Sequence, residues 1–581
     1  MENSICHIVE SYQKILTVHL LKTLTKICFI EKGLREYYCL NILYEVVGEL
    51  GNSKLWNKIK YSFKIIALPF RQMRHFYNYS YSIYVLSLIS VLILFSCEER
   101  KKSGKALFES QCASCHKLPE VSNLPKELWE SKVLPEMAAR MGIRESGFNP
   151  YQGFSYVEQG QMIRSGVFET PPRISTEDWL LLKEYILSVA PDSLNLDFVN
   201  KKLYEIPNFK PSEIDLDGKM GSSISFLSLE KDTLVAGFLD GEVITYQSKN
   251  KKVLQKEQFN GVVTTYNLDE NFKLVALVGK LNPSEQKLGK LLKQGPNTFE
   301  LLLDSLHRPV NFSIVDIDQN GKKEFLICEF GHLTGELSLF SQLKDGTYKK
   351  RTLIGLPGVT RTIVKDMNND EKLDVLVLSG QGNENVSVLY QTDSLVFVQK
   401  QLLQFDPAYG TSWMELVDVN NDGLEDIVTV HGDNADKTYV QKPYHGLRIH
   451  LNDGNGAYKE AYFYPMFGAT RFTSADFDQD GDVDFAIISS FPDYESKAPL
   501  SFVYLQNLGG VTLDFKPYGL NKANSNRWML IDSDDIDGDG DMDIVLSSFA
   551  YNFIPVPIDI KKEWRTSYTD LIVLENMLVN P

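Results

Sequence analysis

Hydrophobic residues recur at two different periods along the chain, which predicts an α-helical segment followed by a long β-rich segment. In Ile174–Val189 apolar residues return every three to four positions, which predicts an amphipathic helix with Ser175 as its N-cap. Gly104–Gln111 also reads as helical, with Leu107 and Phe108 on one face. From about residue 200 onward, short apolar runs of strand length alternate with loops rich in Asp, Asn and Gly.

One motif recurs five times in the β-rich segment, each time between two apolar runs, at intervals of 50, 52, 58 and 59 residues. A period near 50 with several short strands per unit indicates a β-propeller, because a single blade must pack in a ring to bury both faces. Two units without the aspartates precede the five copies, at Ser228–Phe238 and Asn267–Val278. We therefore predict seven blades over residues 200–575, with six and eight as alternatives. The copies read DIDQNGKKEF from Asp316, DMNNDEKLDV from Asp366, DVNNDGLEDI from Asp418, DFDQDGDVDF from Asp476 and DIDGDGDMDI from Asp535.

The repeated motif, D-x-[DN]-x-[DN]-G-x-x-[DE], has the oxygen-rich side chains that calcium prefers. Positions 1, 3 and 5 of a tight loop point carboxylates or amides inward, glycine at position 6 permits the turn, and the acid at position 9 closes the cage. A strand rather than a helix follows position 9, which distinguishes the loop from an EF-hand. The sequence thus predicts up to about five Ca²⁺ ions. The candidate ligands are Asp316, Asp318, Asn320, Glu324, Asp366, Asn368, Asp370, Asp374, Asp418, Asn420, Asp422, Asp426, Asp476, Asp478, Asp480, Asp484, Asp535, Asp537, Asp539 and Asp543.

The five loops are unequal. Those starting at Asp476 and Asp535 have three aspartates and a glycine before the closing acid, so we expect them to bind calcium best. The loop at Asp366 has Glu371 where glycine belongs, and the loop at Asp316 uses Asn320, which puts calcium binding there in doubt. The alternative is a metal-free, Asx-rich turn. These residues resemble the FG-GAP/VCBS repeats of the α-integrin propeller and of bacterial surface proteins.

A second motif lies upstream, where Gln111–Lys117 reads QCASCHK. Such a cysteine pair serves a disulfide redox site, half of a zinc site or covalent haem attachment. The other five cysteines form no second close pair, and the flanks read as helical rather than βαβ, which disfavours the first two chemistries. In haem attachment the thiols of Cys112 and Cys115 add to the vinyl groups, and His116 ligates the iron. The motif therefore predicts covalent haem c.

Residues 103–192 resemble a class I cytochrome c, in which the haem motif lies near the start of the domain. In that family the first and last helices cross with aromatic residues at the contact. The resemblance implies that Phe108 and Tyr185 meet at this crossing. The fold class expected for the chain is accordingly multidomain, a small all-α cytochrome c domain followed by an all-β propeller of about seven blades.

The resemblance also implies a methionine as the sixth iron ligand, which suits electron transfer. The segment Trp129–Ile143 resembles one in multidomain cytochromes with repeat-rich tails, where the methionine after Leu-Pro-x is the ligand. That residue is Met137 here. Met141 and Met162 are the alternatives, and core filling is the commoner role of any one methionine.

An apolar run of 13 residues, Ile83–Phe95, precedes the haem motif. It is too short to span a bilayer of about 30 Å but suits the h-region of a signal peptide. The residues that end in Cys97 resemble a bacterial lipobox, which implies a diacylated cysteine and a lipid anchor. Export is also what covalent haem requires, because bacterial c-type haem is attached outside the cytoplasmic membrane. We expect a misassigned extension over 1–72, a signal peptide over 73–96 and a short linker over 97–102.

The net charge of −16 argues against nucleic acid as a partner, and no basic run beyond the signal contradicts this. The expected function is single-electron transfer by a lipid-anchored cytochrome on the periplasmic side or cell surface, in the outer membrane of a Gram-negative bacterium. The expected partners are redox proteins, the bilayer and a glycan or protein ligand of the propeller.

Two alternatives stay open at the level of sequence. One is a propeller dehydrogenase that drains electrons into the cytochrome and needs a base in its central channel. The other is a surface adhesion or glycan-binding lipoprotein. The histidines available as a base are His307, His332, His431, His445 and His450.

Overall fold

The computed structural model describes residues 103–196, 203–268, 273–295, 298–434, 438, 440–494, 498–510, 512–521, 523–551 and 555–578. Residues 101–581 belong to one compact unit. The expected extension, signal peptide, linker and acylated Cys97 lie outside the described residues. Among the described helices, none is long and apolar enough to cross a membrane.

The first part of the described chain is helical. Ser103 caps its first helix by accepting a hydrogen bond from the Ala106 N–H. Ser175 caps the last helix, as the sequence predicts, by accepting one from the Asp178 N–H. The helices are α1 (Gly104–Cys112), α2 (Lys126–Leu128), α3 (Leu134–Arg140), α4 (Tyr156–Ser165) and α5 (Thr176–Val189), with a 3₁₀ turn at Val121–Asn123 and a π-helical turn at Trp129–Val133.

Helices α1 and α5 pack closely across one small core. The rings of Phe108 and Tyr185 lie 5.7 Å apart at this contact, which confirms the expected meeting of the two side chains. Gly104 permits the close approach, because a Cβ atom there would lie 2.2 Å from the carbonyl oxygen of Leu181. Trp179 is buried in the same core and donates its indole N–H to Glu145. The missing side chain of Gly104 thus lets the backbones of α1 and α5 approach each other.

In the second part the described residues form seven sheets, built from antiparallel strands that pair mostly in chain order; six sheets have four strands and one has a fifth. A sixth helix, α6 (Ile558–Thr566), and a 3₁₀ turn at Ala498–Ser501 lie in its loops. The blades are, in order, β3–β6 (Ile224–Glu230, Thr233–Phe238, Glu242–Gln247, Lys252–Gln258), β7–β10 (Val263–Leu268, Lys273–Leu277, Gly289–Gln294, Phe299–Leu306), β11–β14 (Pro309–Val315, Glu324–Glu329, Glu336–Gln342, Tyr348–Ile354), β15–β18 (Val359–Lys365, Asp374–Ser379, Asn385–Asp393, Val396–Gln404), β19–β22 (Thr411–Val417, Asp426–His431, Gly446–Asn452, Tyr458–Pro465), β23–β26 (Ala469–Ala475, Asp484–Ser489, Phe502–Asn507, Phe515–Gly519) and β27–β29 (Trp528–Asp534, Asp543–Ser548, Leu571–Asn576) with β2 (Phe209–Ile214).

The ring closes by pairing the two ends of the propeller. The first strands of neighbouring blades contact one another all the way round, from β3 through β27 and back to β3. Strand β2 forms the outer edge of blade 7 by pairing with β29, so the N-terminal and C-terminal strands share one sheet. A short strand, β1 (Tyr204–Glu205), adds to blade 6 in parallel with β26. The prediction of seven blades is therefore confirmed, and the two units that lack the aspartates of the motif fall in blades 1 and 2.

The helical part docks on one face of the propeller. Because each blade is an antiparallel meander, the loops between its first and second strands lie on the face opposite to the loops between its second and third. The ring of Phe154 lies 5.6 Å from that of His332, in a second-to-third loop of blade 3. Gln286, in the corresponding loop of blade 2, bonds Ser155. The five aspartate loops lie on the other face, between first and second strands.

Candidate functional sites

The C-x-x-C-H motif lies where helix α1 ends. Cys112 is the last helical residue and is half-buried, whereas Cys115 is exposed. Neither thiol is in a disulfide. Burial, with the nearby Cys115 adding a smaller effect, raises the pKa of the Cys112 thiol to about 12. Two free thiols one turn apart are the arrangement that thioether bond formation needs.

The imidazole ring of the motif's histidine forms a hydrogen bond with the backbone of the next residue. The Nδ1 atom of His116 lies 2.7 Å from the carbonyl oxygen of Lys117. Because a carbonyl oxygen only accepts, Nδ1 must carry the proton in this contact, which leaves the lone pair on Nε2. Metal-bound histidines are usually oriented in this way by a hydrogen bond to the other ring nitrogen. His116 Nε2 is therefore free of this contact and could ligate a haem iron.

The three candidate methionines fall into two groups. Met137, in α3, and Met141, which follows it, pack against the same apolar core as Cys112. Met162, in α4, is fully buried but is not part of that core. The structure thus brings two of the three candidates together with the first cysteine.

Sequence reasoning missed an arginine beside the motif. The guanidinium of Arg173 donates to Ser114 Oγ at 2.6 Å and to Cys115 Sγ at 3.4 Å, and it also pairs with Glu169. The hydrogen bond with Glu169 raises the pKa of Arg173. Arg173 is 58 residues from Cys115 in sequence, and only the fold brings the two side chains together. No sequence motif could therefore predict this contact.

The segment after the motif is anchored to the propeller. Asp406, between blades 4 and 5, accepts hydrogen bonds from the Glu120 N–H at 2.8 Å and from the Asn123 side chain at 3.1 Å. Tyr444 donates its hydroxyl to the Asn123 carbonyl oxygen at 2.8 Å. The Lys117 ammonium reaches a carbonyl oxygen of the same loop region. The C-x-x-C-H motif is thus held close to blades 4 and 5.

Each of the five aspartate loops connects the first and second strands of its blade, in blades 3 to 7. The acid at position 9 opens the second strand and is buried. One of its oxygens accepts the N–H of loop position 2, as in Phe477 N–H to Asp484 at 3.2 Å. The residues that fill this role are Glu324, Asp374, Asp426, Asp484 and Asp543.

In four of the loops the second oxygen of this acid binds the third strand. The Asn507 N–H donates to Asp484 at 2.7 Å, and Gln391, Asn452 and Asn576 make the equivalent bond in blades 4, 5 and 7. The acid at position 9 therefore joins the loop to two strands. The sequence predicted this acid only as a calcium ligand and not as a hydrogen-bond acceptor between strands.

Carboxylate oxygens crowd together in three of the loops. The groups, each with one oxygen per residue within 4.8 Å of the others, are Asp316, Asp318 and Glu324; Asp476, Asp478 and Asp484; and Asp535, Asp537 and Asp539. In the loops at Asp366 and Asp418, where position 3 is asparagine, the described residues form no such group. Asp422 and Asn420 instead bond each other across the second of these loops.

Three of these carboxylates each keep an oxygen that is buried and has no hydrogen-bond partner, in Asp318, Asp478 and Asp539. A buried, unpaired carboxylate oxygen is costly unless a cation or a donor meets it. Burial is also the main cause that raises the pKa of Glu324, Asp484 and Asp543 to about 7. These observations fit a divalent cation in the loops of blades 3, 6 and 7.

A cleft of about 260 Å³ opens beside the loop of blade 6. Asp478 lines this cleft together with the rings of Phe209, Phe477 and Tyr504, which contact one another edge to face. The cleft lies where blades 6 and 7 meet, next to the strand that closes the ring.

Among the described residues, no histidine occurs on the seven innermost strands of the ring. His431 is fully buried between the hydroxyls of Thr411, at 2.8 Å, and Thr429, at 2.9 Å. His307 and His445 are also buried and hydrogen-bonded through their rings. Burial lowers the pKa of His431 well below its usual value.

A charged stack joins the innermost strands of three blades. The guanidinium groups of Arg361 and Arg471 lie 3.7 and 3.6 Å from the ring of Trp413, whose N–H bonds Glu415. These side chains come from the innermost strands of blades 4, 5 and 6.

Comparisons with known proteins agree with this geometry over one stretch of the chain. Residues 366–429, from the loop of blade 4 to the second strand of blade 5, match the model of the FG-GAP-like repeat. No curated protein matches the chain. The chain is therefore a seven-bladed β-propeller protein. More particularly, its propeller carries an FG-GAP-like repeat.

Solved structures with similar folds cover about two thirds of the chain at low similarity. The N-terminal domain of Nup159 is 10% identical with a TM-score of 0.37, covering 64% of this chain and 96% of that one. The computationally designed Ika8 protein is 12% identical with a TM-score of 0.33, covering 62% and 98%. The WD40 domain of SCAP from fission yeast is 10% identical with a TM-score of 0.31, covering 66% and 91%. The fold assignment rests on the strand pairing described above.

Proposed function

We propose that this chain is an exported, lipid-anchored c-type cytochrome that transfers single electrons, with its propeller as a docking platform. The observation that carries the proposal is the C-x-x-C-H motif at the end of a helix that crosses the last helix of the same small unit. A haem bound there would supply one-electron redox chemistry at its iron. Cys112 and Cys115 would hold the ring, and His116 would ligate the iron through Nε2.

A methionine side chain would be a second protein ligand of the iron in this proposal. Met137 is the preferred ligand, supported by its place in the core that also contains Cys112. Met141 shares that core and is the alternative, whereas Met162 lies outside it. The exposed Cys115 and its neighbour Arg173 would keep one side of the motif accessible to a redox partner.

The propeller would hold the cytochrome unit at a fixed position and bind a protein or glycan partner. Support comes from the buried contacts of Asp406 and Tyr444 with the segment after the motif. The loops of blades 3, 6 and 7 would bind calcium on the opposite face, away from the helical unit. We place the protein on the periplasmic side or the cell surface, anchored through an acylated Cys97.

The test is covalent haem in the full chain, produced in a bacterium that matures c-type cytochromes. We expect a c-type pyridine haemochrome spectrum and pigment that stays with the protein in acidified acetone. The double variant Cys112→Ala/Cys115→Ala should lose the pigment, and the matched control Cys328→Ala should keep it. Colourless wild-type protein would remove the electron-transfer proposal and leave a propeller with a binding role.

The sixth ligand is tested with three matched variants, Met137→Ala, Met141→Ala and Met162→Ala. We expect only the first to abolish the near-infrared absorption of methionine-ligated ferric haem and to lower the reduction potential. Loss of that absorption in the Met141 or Met162 variant alone would assign the ligand to that residue instead.

A further inference from the structure

The charged stack on the innermost strands lies in one layer of the ring. In every blade the pairing register of the first strand shifts between its first and third residues, so the third residues of the seven first strands are structurally equivalent. Arg361, Trp413 and Arg471 are the third residues of β15, β19 and β23. Because the first strands surround the axis of a propeller, these residues lie at one level around that axis. Blades 4, 5 and 6 thus place two cations and one aromatic ring side by side.

The indole of Trp413 lies between the two guanidinium groups. Arg361 comes from the blade on one side of Trp413 and Arg471 from the blade on the other, and their central carbon atoms are 3.7 and 3.6 Å from the centre of the ring. At these distances each planar guanidinium must lie flat on the ring, because an N–H pointing at the ring would hold the carbon farther away. The N–H groups therefore point along the plane of the indole, where the ring cannot accept hydrogen bonds from them.

Neither guanidinium forms a hydrogen bond or an ion pair with any residue that the structure describes. The Nε atom of Arg471 is fully buried and still has no acceptor. Each guanidinium has five N–H donors, and an enclosed donor of a charged group is costly when nothing accepts from it. Both side chains are partly exposed, so that a solute can reach them. These donors are therefore available to a ligand.

The nearest carboxylates are engaged with other donors. Glu415 accepts the indole N–H of Trp413 at 3.1 Å and the hydroxyl of Ser474. Asp532, on the innermost strand of blade 7, accepts two backbone N–H groups. Burial raises the pKa of both carboxyl groups, which weakens their negative charge. They therefore do not take the place of a ligand at the guanidinium groups.

The two cations also disfavour each other. Burial, with the nearby cation of Arg361 adding to the effect, lowers the pKa of Arg471 to about 10. Both groups are still charged at neutral pH, because this pKa lies well above 7. A negative charge between them would relieve the repulsion and would accept from the unpaired N–H groups.

We propose that Arg361 and Arg471 form a binding site for a small oxyanion, a phosphate or carboxylate group, near the axis of the propeller. The planar fork of a guanidinium matches two oxygens of such a group. Trp413 holds one fork on each of its faces, so an oxyanion at the rim of the indole accepts from both. The site is separate from the aspartate loops and from the C-x-x-C-H motif, and it does not depend on whether the chain binds haem or calcium.

The test uses the full chain after removal of calcium, with inorganic phosphate and malonate as separate probes. Each is added as a sodium salt at constant ionic strength, with sodium chloride as the reference. We expect calorimetric binding of at least one probe and a change in tryptophan fluorescence. Binding of phosphate alone would assign a phosphate ligand, and binding of malonate alone would assign a carboxylate. If neither probe bound, the proposal would be wrong.

Three variants test the role of the two forks. Arg361→Gln and Arg471→Gln each remove one fork and should weaken binding at least about tenfold. Arg471→Lys keeps the charge without the fork and should also weaken it. The matched control Arg351→Gln removes an exposed arginine whose guanidinium also lies over a ring, that of Phe397 at 5.8 Å, and should bind as wild type does.

Trp413→Phe tests the location of the site. This change keeps an aromatic ring between the two cations and should leave binding within a few-fold of wild type while abolishing the fluorescence change. Circular dichroism checks that each variant is folded, and Arg471→Lys with Trp413→Phe decides the matter if the glutamine variants do not fold. Equal affinity of the arginine variants and the control, or a fluorescence change that survives in Trp413→Phe, would overturn the proposal.

Discussion

Single buried side chains in blade 5 are held in the protonation state that their surroundings favour. Burial, with a smaller contribution from the cation of Arg448, lowers the pKa of His450 to about 4. Because the folded pKa lies below the unfolded value of about 6.5, the unfolded chain takes up the proton first. His450 therefore makes the free energy of unfolding fall as the pH drops from about 6.5 to about 4, by at most about 3 kcal/mol.

We predict that His450→Gln has a flatter dependence of stability on pH over this range than wild type. Urea unfolding at pH 7 and at pH 4.5 measures the difference. Lys459→Gln, an exposed substitution on the next strand, serves as a control and should leave the dependence as in wild type. Equal pH dependence of His450→Gln and wild type would show that this histidine is not held neutral by its environment.

Gly104 matters for its missing side chain. A Cβ atom at this position would lie 2.2 Å from the Leu181 carbonyl oxygen and 2.7 Å from Tyr185 Cβ, both on the facing helix. We predict that Gly104→Ala destabilises the helical unit by about 1–3 kcal/mol, because the two helices must separate. Hydrogen exchange of the α1 and α5 peptides in the full chain measures this loss.

Gly160 provides the matched control for that substitution. It lies inside α4, where a new Cβ meets only the end of the Arg164 side chain at 3.3 Å. Gly160→Ala should therefore be neutral or stabilise the helix by up to about 1 kcal/mol. An equal effect of the two substitutions would contradict the role of Gly104 in the helix crossing.

At the scale of elements, the repeated loops show how far sequence reasoning reaches. The motif placed each loop between two strands, because a fixed nine-residue spacing sets where one strand ends and the next begins. Glu371, which stands where the motif has glycine, has a φ of +68°, in the left-handed region where the other four loops have glycine. Such a conformation costs a non-glycine residue of the order of 1 kcal/mol.

We predict that Glu371→Gly raises the free energy of unfolding by about 1 kcal/mol in the presence of a chelator, measured by urea unfolding. Gly423→Glu, the reverse change at the same position of the next loop, where φ is +83°, should lower it by a similar amount. Opposite signs for the two substitutions are the essential outcome. Destabilisation by both would mean that the carboxylate of Glu371 contributes more than its backbone costs.

What sequence reasoning could not reach are contacts between elements far apart in the chain. Seven blades follow from a period, and the contact of Phe108 with Tyr185 follows from a family resemblance. The stack of Arg361 and Arg471 on Trp413 follows from neither, because the repeated motif begins only after the strands that carry these residues. The docking of the helical unit on blades 4 and 5 could not be predicted from the sequence either, because Asp406 lies in a loop without a repeated pattern.

On the scale of the whole molecule, a few polar contacts fix the helical unit on the propeller. Asp406 uses both of its carboxylate oxygens. One accepts the Glu120 N–H and the Asn123 amide of the helical unit, and the other accepts the Ala408 N–H of its own loop at 2.9 Å. An amide side chain offers only one acceptor oxygen, so Asp406→Asn must set an N–H₂ group against a donor. Losing such buried bonds costs about 1–3 kcal/mol.

We predict that Asp406→Asn loosens the helical unit while the propeller stays folded. Hydrogen exchange should become faster in the peptides that cover residues 117–124 and remain unchanged in the strands of blades 1 and 2. Asp345→Asn is the matched control on the opposite face, because a single oxygen of Asp345 accepts both the N–H and the hydroxyl of Thr347. If the control and Asp406→Asn exchanged alike at 117–124, the unit would be held by its apolar contact with Tyr444 and Ala408 rather than by the carboxylate.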